Sequence, residues 1–378
     1  MTPKNFVYLA AAAVASVLLA VVSFASSNQW SSGQAAGEKL VPGFSDAIKE
    51  VAELELRQGE NTVVLERKGG SWAVKSRDGY PADSPKVRTM LVALSEAELV
   101  ESKTRKADRY AALELEDPAE KTAKSRLVKL TGAKGNAIAE VVIGKQRAEG
   151  FGTGKGGGTY VRKVGDAQTW LANVEIGVPV AVKDWVKTSV LSLDTDKINR
   201  ISIEIPGEQA LKVERPAPPA KDTAKDKDAK TPKEATEPKD AKETKEEAKT
   251  PAPPAKLAFV GFPPEGKKLK DASAAETLGR AVSSFELEDV RKLAPPPAGE
   301  GVSIVKIEIA DGPTTTLRLR KDGDAHWLSI TATGEGDAAK KAAEEITART
   351  KDWEFRIPAS KAESILKKRS DLLEAPAS

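Results

Sequence analysis

The chain has 378 residues, 40% hydrophobic and 30% charged, a balance that suits a folded protein of roughly two domains. Lys and Arg number 59 against 56 Asp and Glu, and the resulting net charge of +3 leaves no electrostatic footprint for nucleic acid. Cysteine is absent and His326 is the single histidine, which excludes disulfides, thiol nucleophiles, Cys-based zinc sites and multi-histidine metal sites.

After a stub of residues 1–5, the run Phe6 to Ala25 carries no charge. At about 1.5 Å per residue it is long enough to cross a hydrocarbon core of about 30 Å. Lys4 precedes it and the next basic residue is Lys39, so the positive-inside rule keeps the amino end in the cytoplasm and exports the rest. Trp30, just beyond the run in the 26–43 juxtamembrane linker, reads as an interfacial anchor. Ser23, Phe24 and Ala25 also allow a cleaved signal peptide. The apolar run is longer than the usual h-region of about 7–15 residues, and an uncleaved anchor is expected.

Residues 44–197 form the first predicted module. Alternating apolar and polar residues predict three antiparallel strands, Val51 to Gln58, Thr62 to Lys68 and Ser71 to Ser76, with Gly69-Gly70 turning the second into the third. A helix follows from Ser84 as N-cap, with Pro85 at its first position and Val87, Met90, Leu91 and Leu94 on one face. Arg126 to Gly132 and Ala137 to Gly144 predict a hairpin. Thr169 to Val174 then leads into a helix with Val182, Trp185, Val186 and Val190 inward.

The second module, residues 198–374, repeats this series and precedes a tail of residues 375–378. Ile198 to Ile205, Ala210 to Pro216 and Lys256 to Phe262 match the three opening strands, and the helix around Ala275, Leu278 and Val282 matches the first helix at a constant offset. Ser303 to Ile309 and Thr314 to Arg320 match the hairpin. Trp353 to Ile357 leads into a helix with Ala362, Ile365, Leu366 and Leu373 inward. The expected fold is therefore α+β: two tandem similar modules of antiparallel strands with short packed amphipathic helices, after one transmembrane helix.

Residues 216–256 contain only Ala, Pro, Lys, Asp, Glu and Thr. They cannot bury enough surface to offset the entropy of ordering, and a disordered, solvated coil is expected. In the repeat the segment stands where Gly69-Gly70 stands in the first module. An insertion into a β-turn, with its two ends close together, is expected.

The order of the amino-terminal segment, GYPAD (Gly79 to Asp83), YAALELEDP (Tyr110 to Pro118), the VVIGK strand end (Val141 to Lys145) and TYVRK (Thr159 to Lys163) resembles the DUF4340 family. The carboxy-terminal stretch from Ala338 to Leu373 is similar to that family's pattern as well. One departure is Glu114, where the family more often has glycine between two leucines. The resemblance implies a membrane-anchored bacterial envelope protein, often associated with an ABC-type transport system of the gliding-motility type. It carries no catalytic residues to transfer.

Isolated chemical groups add little. His326 lacks a serine elbow or acid partner in its context and reads as structural or surface. Asp46, Glu50, Glu53 and Glu55 lack the spacing of a calcium loop. Trp72, Trp170, Trp185, Trp327 and Trp353 fall in apolar patterns and read as core. Gly150 to Lys163 looks like a phosphate loop, yet Glu149 stands where a Walker motif needs glycine and Gly156 where it needs Ser or Thr. Gly152, Gly154 and Gly157 spell GxGxxG between two strands, where no helix amino end faces a phosphate. The matching junction of the second module is taken to be Gly334 to Lys351, with a helix at Ala338 to Ala348.

The function expected is thus a non-enzymatic accessory or scaffolding component of a transport complex, in the bacterial inner membrane with its bulk in the periplasm. No catalytic residue, cofactor, metal, nucleotide or nucleic acid is expected. The alternatives are a binding module for envelope polysaccharide or peptide, and a hydrolase using paired carboxylates.

Overall fold

The computed structural model describes residues 37–147, 157–216, 255–295 and 301–374. The expected membrane segment with Lys4 and Trp30, nearly all of the 216–256 insertion and the first half of the glycine stretch, residues 150–156, lie outside the described residues. Among the described residues no helix is long and apolar enough to cross a membrane. The architecture is mixed α/β, dominated by large antiparallel sheets with few helices. Contacts divide the chain into two compact units: residues up to Thr188 with Glu288–Lys292, and Ser189–Leu287 with Leu293 onward.

In the first unit, strands β1 (Val51–Gln58), β2 (Asn61–Lys68), β3 (Ser71–Val74), β4 (Tyr80–Pro81), β5 (Leu99–Ser102), β6 (Arg126–Gly132), β7 (Ala137–Arg147), β8 (Gly158–Lys163) and β9 (Thr169–Ala172) form one sheet. Their order is β4-β3-β2-β1-β6-β7-β8-β9-β5. Leu54 lies opposite both Leu65 and Leu130, and Leu56 opposite Val63 and Val128, so period-two alternation gathers these residues on one apolar face. All six are buried, and each contributes about 1.5–3 kcal/mol of burial free energy. The other face carries polar pairs such as Lys129 with Glu140 at 3.0 Å. Gly69 and Gly70 both have positive φ, 54° and 93°, which the tight β2–β3 turn requires. Helix α1 (Ser84–Glu96) buries Val87, Met90, Leu91 and Leu94, as its periodicity predicts. Its N-cap position is Asp83, one residue earlier than expected, because the Ser84 hydroxyl accepts a hydrogen bond from the Trp72 N–H at 3.1 Å instead of capping the helix.

In the second unit, β10 (Ser189–Ser192) pairs with β14 (Ser284–Glu286). Strands β11 (Ile198–Glu204), β12 (Leu211–Glu214), β13 (Ala258–Phe259), β16 (Ser303–Ile309), β17 (Thr314–Asp322), β18 (Ala325–Thr333) and β19 (Trp353–Ile357) make a larger sheet; the strand Asp289–Lys292, β15 in chain order, is grouped with the first unit. Their order, β13-β12-β11-β16-β17-β18-β19, matches β3-β2-β1-β6-β7-β8-β9 strand for strand. The register matches too. Ile201 lies opposite Val213 and Ile307, as Leu54 lies opposite Leu65 and Leu130. Even the irregularity recurs, between Val51 and Glu53 in one sheet and between Ile198 and Arg200 in the other. Helices α2 (Ala274–Ser283), α3 (Asp337–Thr350), α4 (Ala359–Ile365) and the short α5 (Arg369–Leu372) belong to the unit, and α2 buries Ala275, Leu278 and Val282.

The two ends of the insertion meet. Glu214 pairs with Ala258 and Val213 with Phe259, while the Arg215 guanidinium donates to the Ala255 carbonyl. The residues that flank 217–254 are therefore paired as neighbours in the sheet, as those that flank Gly69-Gly70 are in the first sheet.

Three expectations need correction. The predicted helix after β9 is a single 3-10 turn, Val182–Trp185, and Val190 lies in β10. Its apolar residues are buried as expected, but the backbone is extended at Val186 (φ −126°, ψ 169°), a conformation that suits a β-branched residue and ends the turn. After β19, α4 ends at Ile365; Ala362 and Ile365 are buried, whereas Leu366 and Leu373 are half-exposed beyond it. The third concerns the junctions. The β7–β8 connection corresponds to the tight β17–β18 turn at Gly323, and α3 lies between β18 and β19, because Ala325–Thr333 is a full strand that matches Gly158–Lys163.

Candidate functional site

The matching registers allow the two sheets to be compared residue by residue. Val128 opposite Val141 corresponds to Val305 opposite Leu317, which equates Gly144 on β7 with Arg320 on β17. The next pairings, Val161 with Trp170 and Leu328 with Phe355, equate Thr169 with Glu354. These positions lie on the polar faces.

In the first sheet that face is covered by the chain's own connection from β5 to β6. Thr104 donates its N–H to the Thr169 hydroxyl at 3.0 Å, and that hydroxyl donates to the Thr104 carbonyl at 2.9 Å. Further on, the connection lies directly on Gly144, where a Cβ would sit 2.3 Å from the Leu113 carbonyl oxygen. Leu115 is fully buried, and the Arg162 guanidinium stacks 4.9 Å from the Tyr110 ring while donating to the Leu115 carbonyl. Glu114 is left-handed (φ 57°, ψ 43°), a conformation that glycine takes at no steric cost.

In the second unit the chain re-enters at Leu293 and starts β16 at Ser303, far short of the Lys103–Ser125 span. There the polar face holds a cavity of about 410 Å³. Leu293, Ala294, Pro295 and Val302 supply apolar wall, while Arg318, Arg320, Lys351 and Glu354 supply charge. Arg320 donates from Nε and Nη2 to the two Glu354 oxygens at 2.8 and 2.7 Å. Both side chains are almost fully buried, 8% and 5% exposed, and their fork-to-fork geometry satisfies both charges. Arg318 and Lys351 are exposed, and Arg318 reaches the Thr331 hydroxyl at 3.3 Å. Neither is in an ion pair among the described residues.

A larger cavity, about 700 Å³, lies at the amino end of α3, where β18 passes through Gly334 and Gly336 into the helix. Its lining includes Glu308, Asp311, Glu335 and Asp337. Those carboxylates take the place an anion would need at a helix amino terminus.

The residues singled out in the sequence are not brought together. His326 is half-buried on β18 opposite Lys321 and Ile357, and its Nδ1 has no hydrogen-bond partner among the described residues. Glu53 is ion-paired with Lys75 at 2.6 Å. Trp72, Trp170, Trp185 and Trp327 are buried and Trp353 is half-buried. Of the GxGxxG spelling only Gly157 is described. Its N–H donates to the Glu175 carboxylate at 3.2 Å, and a Cβ there would lie 2.3 Å from the Arg147 carbonyl oxygen. A close backbone approach therefore explains this glycine, and its N–H already faces a negative charge. Sequence reasoning missed the Arg320–Glu354 cavity; its one signal was an arginine and a glutamate inside the strands TLRLR and WEFRI.

Residues 72–251 match a family model described as a domain of unknown function, DUF4340. This stretch is a DUF4340 domain. It begins in β3 and ends in the insertion after β12, so the DUF4340 stretch takes one full period of the repeated strand series, starting two strands later than β1. The Arg320–Glu354 cavity lies outside it. No curated protein and no solved structure matches the chain.

Proposed function

We propose that the chain is a non-enzymatic, single-pass protein of the bacterial inner membrane whose periplasmic part is a tandem duplication of one α+β module. In this reading it serves as an accessory or scaffolding component of an ABC-type transport system of the gliding-motility type. The uncharged run Phe6 to Ala25, with Lys4 before it and Trp30 after it, supports the anchor. The shared strand order and register support the duplication.

The observation that carries the binding role is the difference between the two sheets. One polar face is covered by Lys103–Ser125, and the other, among the described residues, keeps an open, charged cavity. A covered copy supplies a frame, and an open copy supplies a surface for a partner. The cavity's charges favour holding over chemistry, since Arg320 donates a hydrogen bond to each Glu354 oxygen. Purification of the tagged full chain from membranes tests the reading: transporter subunits are expected alongside it, and repeated recovery without any of them contradicts the proposal. A reporter fused after residue 40 should be active outside the cytoplasm.

A second reading, a binding module for an envelope polysaccharide or peptide, draws on the same cavity, whose volume falls within the usual range of about 300–1,000 Å³ for ligand sites.

A further inference from the structure

We infer that the cavity on the polar face of β17–β19 binds a small amphipathic anion, an apolar body ending in one negatively charged head. Where the first sheet has Gly144 and Thr169 under a covering connection, the second has, among the described residues, Arg320 and Glu354 at a cavity. A buried ion pair is a poor device for stability, because removing two charges from water offsets most of their attraction. Here it stands at the positions that Gly144 and Thr169 hold in the other copy. It gives the cavity a polar floor in which each Glu354 oxygen accepts a hydrogen bond from Arg320.

The rest of the lining specifies the ligand. Leu293, Ala294, Pro295 and Val302 form an apolar wall against which only an apolar body gains. Three cations and one carboxylate line the space, and Arg320 neutralises Glu354, so Arg318 and Lys351 leave the cavity with positive charge to meet an anion. Both can reach a head at the mouth, since both are exposed and neither is in an ion pair among the described residues. A cationic or purely polar ligand would forgo one half of this arrangement. The inference deepens the binding role proposed above but does not depend on the transporter partner.

The test uses the full chain in nanodiscs, titrated calorimetrically with 4-phenylbutyrate, with empty nanodiscs subtracted. Saturable binding is expected. The uncharged analogue 4-phenylbutanol should bind at least about tenfold more weakly, and so should 4-phenylbutyrate to the Arg318→Glu/Lys351→Glu variant. That variant changes only exposed side chains, and its unchanged melting temperature shows that the fold is intact. Absence of saturable binding, equal binding of the alcohol, or unchanged affinity in the charge-reversed variant each overturns the proposal. A failed titration leaves the membrane co-purification untouched, and a purification without transporter subunits leaves this cavity's affinity untouched.

Discussion

Arg320 and Glu354 face each other in a bidentate pair, 2.8 and 2.7 Å, at the sheet positions that Gly144 and Thr169 hold in the other sheet. Breaking the pair and removing it should have different consequences. Arg320→Met leaves a buried carboxylate without its partner and should cost about 3–5 kcal/mol, while Arg320→Met combined with Glu354→Leu should return most of that loss. Denaturant midpoints of the two variants decide the matter. If the double variant is as unstable as the single one, the pair is a structural necessity and not a replaceable cavity floor.

Gly144 and Glu114 test the covering of the first sheet. Gly144→Ala places a Cβ 2.3 Å from the Leu113 carbonyl oxygen, which backbone movement must relieve at a cost of about 1–3 kcal/mol. Glu114→Gly removes left-handed strain from a non-glycine residue and should stabilise by about 1 kcal/mol. Opposite shifts in melting temperature are expected, and shifts of the same sign would contradict the close approach described for this loop.

Deleting residues 217–254 should leave the melting transition nearly unchanged. Glu214 already pairs with Ala258, so the deletion shortens a turn whose closure entropy varies only with the logarithm of its length. A large drop would mean that the insertion contributes contacts of its own.

Lys361 supplies a pH dependence. Burial holds its ammonium below the ordinary lysine value, partly offset by Glu286, and its Nζ lies 5.0 Å from the Phe285 ring centroid. Between the lowered folded value and the ordinary unfolded value, the unfolded chain binds more protons. Stability contributed at this site therefore rises as pH rises through that window. Lys361→Met should flatten the slope of stability against pH there, as measured by denaturant titrations at several alkaline pH values; an unchanged slope would reject the assignment.

The strands were legible because period-two alternation maps directly onto a sheet with one apolar face, as in Leu54, Leu56, Val63 and Leu65. The turn insertion was legible for a related reason: the repeat fixed where the two ends had to meet. Val182, Trp185, Val186 and Val190 misled because their spacing imitates a helical face, although burial by a 3-10 turn and a strand satisfies it equally well. The α3 junction was matched wrongly because the sequence pattern alone does not show that Ala325–Thr333, and not the segment after it, takes the place of Gly158–Lys163. The cavity was illegible for a deeper reason, since it depends on the length of one connection relative to the register of strands distant in sequence.

Among the described residues, one polar face is covered and its counterpart open. The absence of cysteine makes this directly measurable by labelling single introduced thiols in the native full chain. Val142, 1% exposed, and Arg318, exposed, occupy equivalent positions on β7 and β17. A maleimide should modify Arg318→Cys rapidly in the native chain and Val142→Cys only on unfolding. Equal rates at the two positions, or protection of both, would contradict the account.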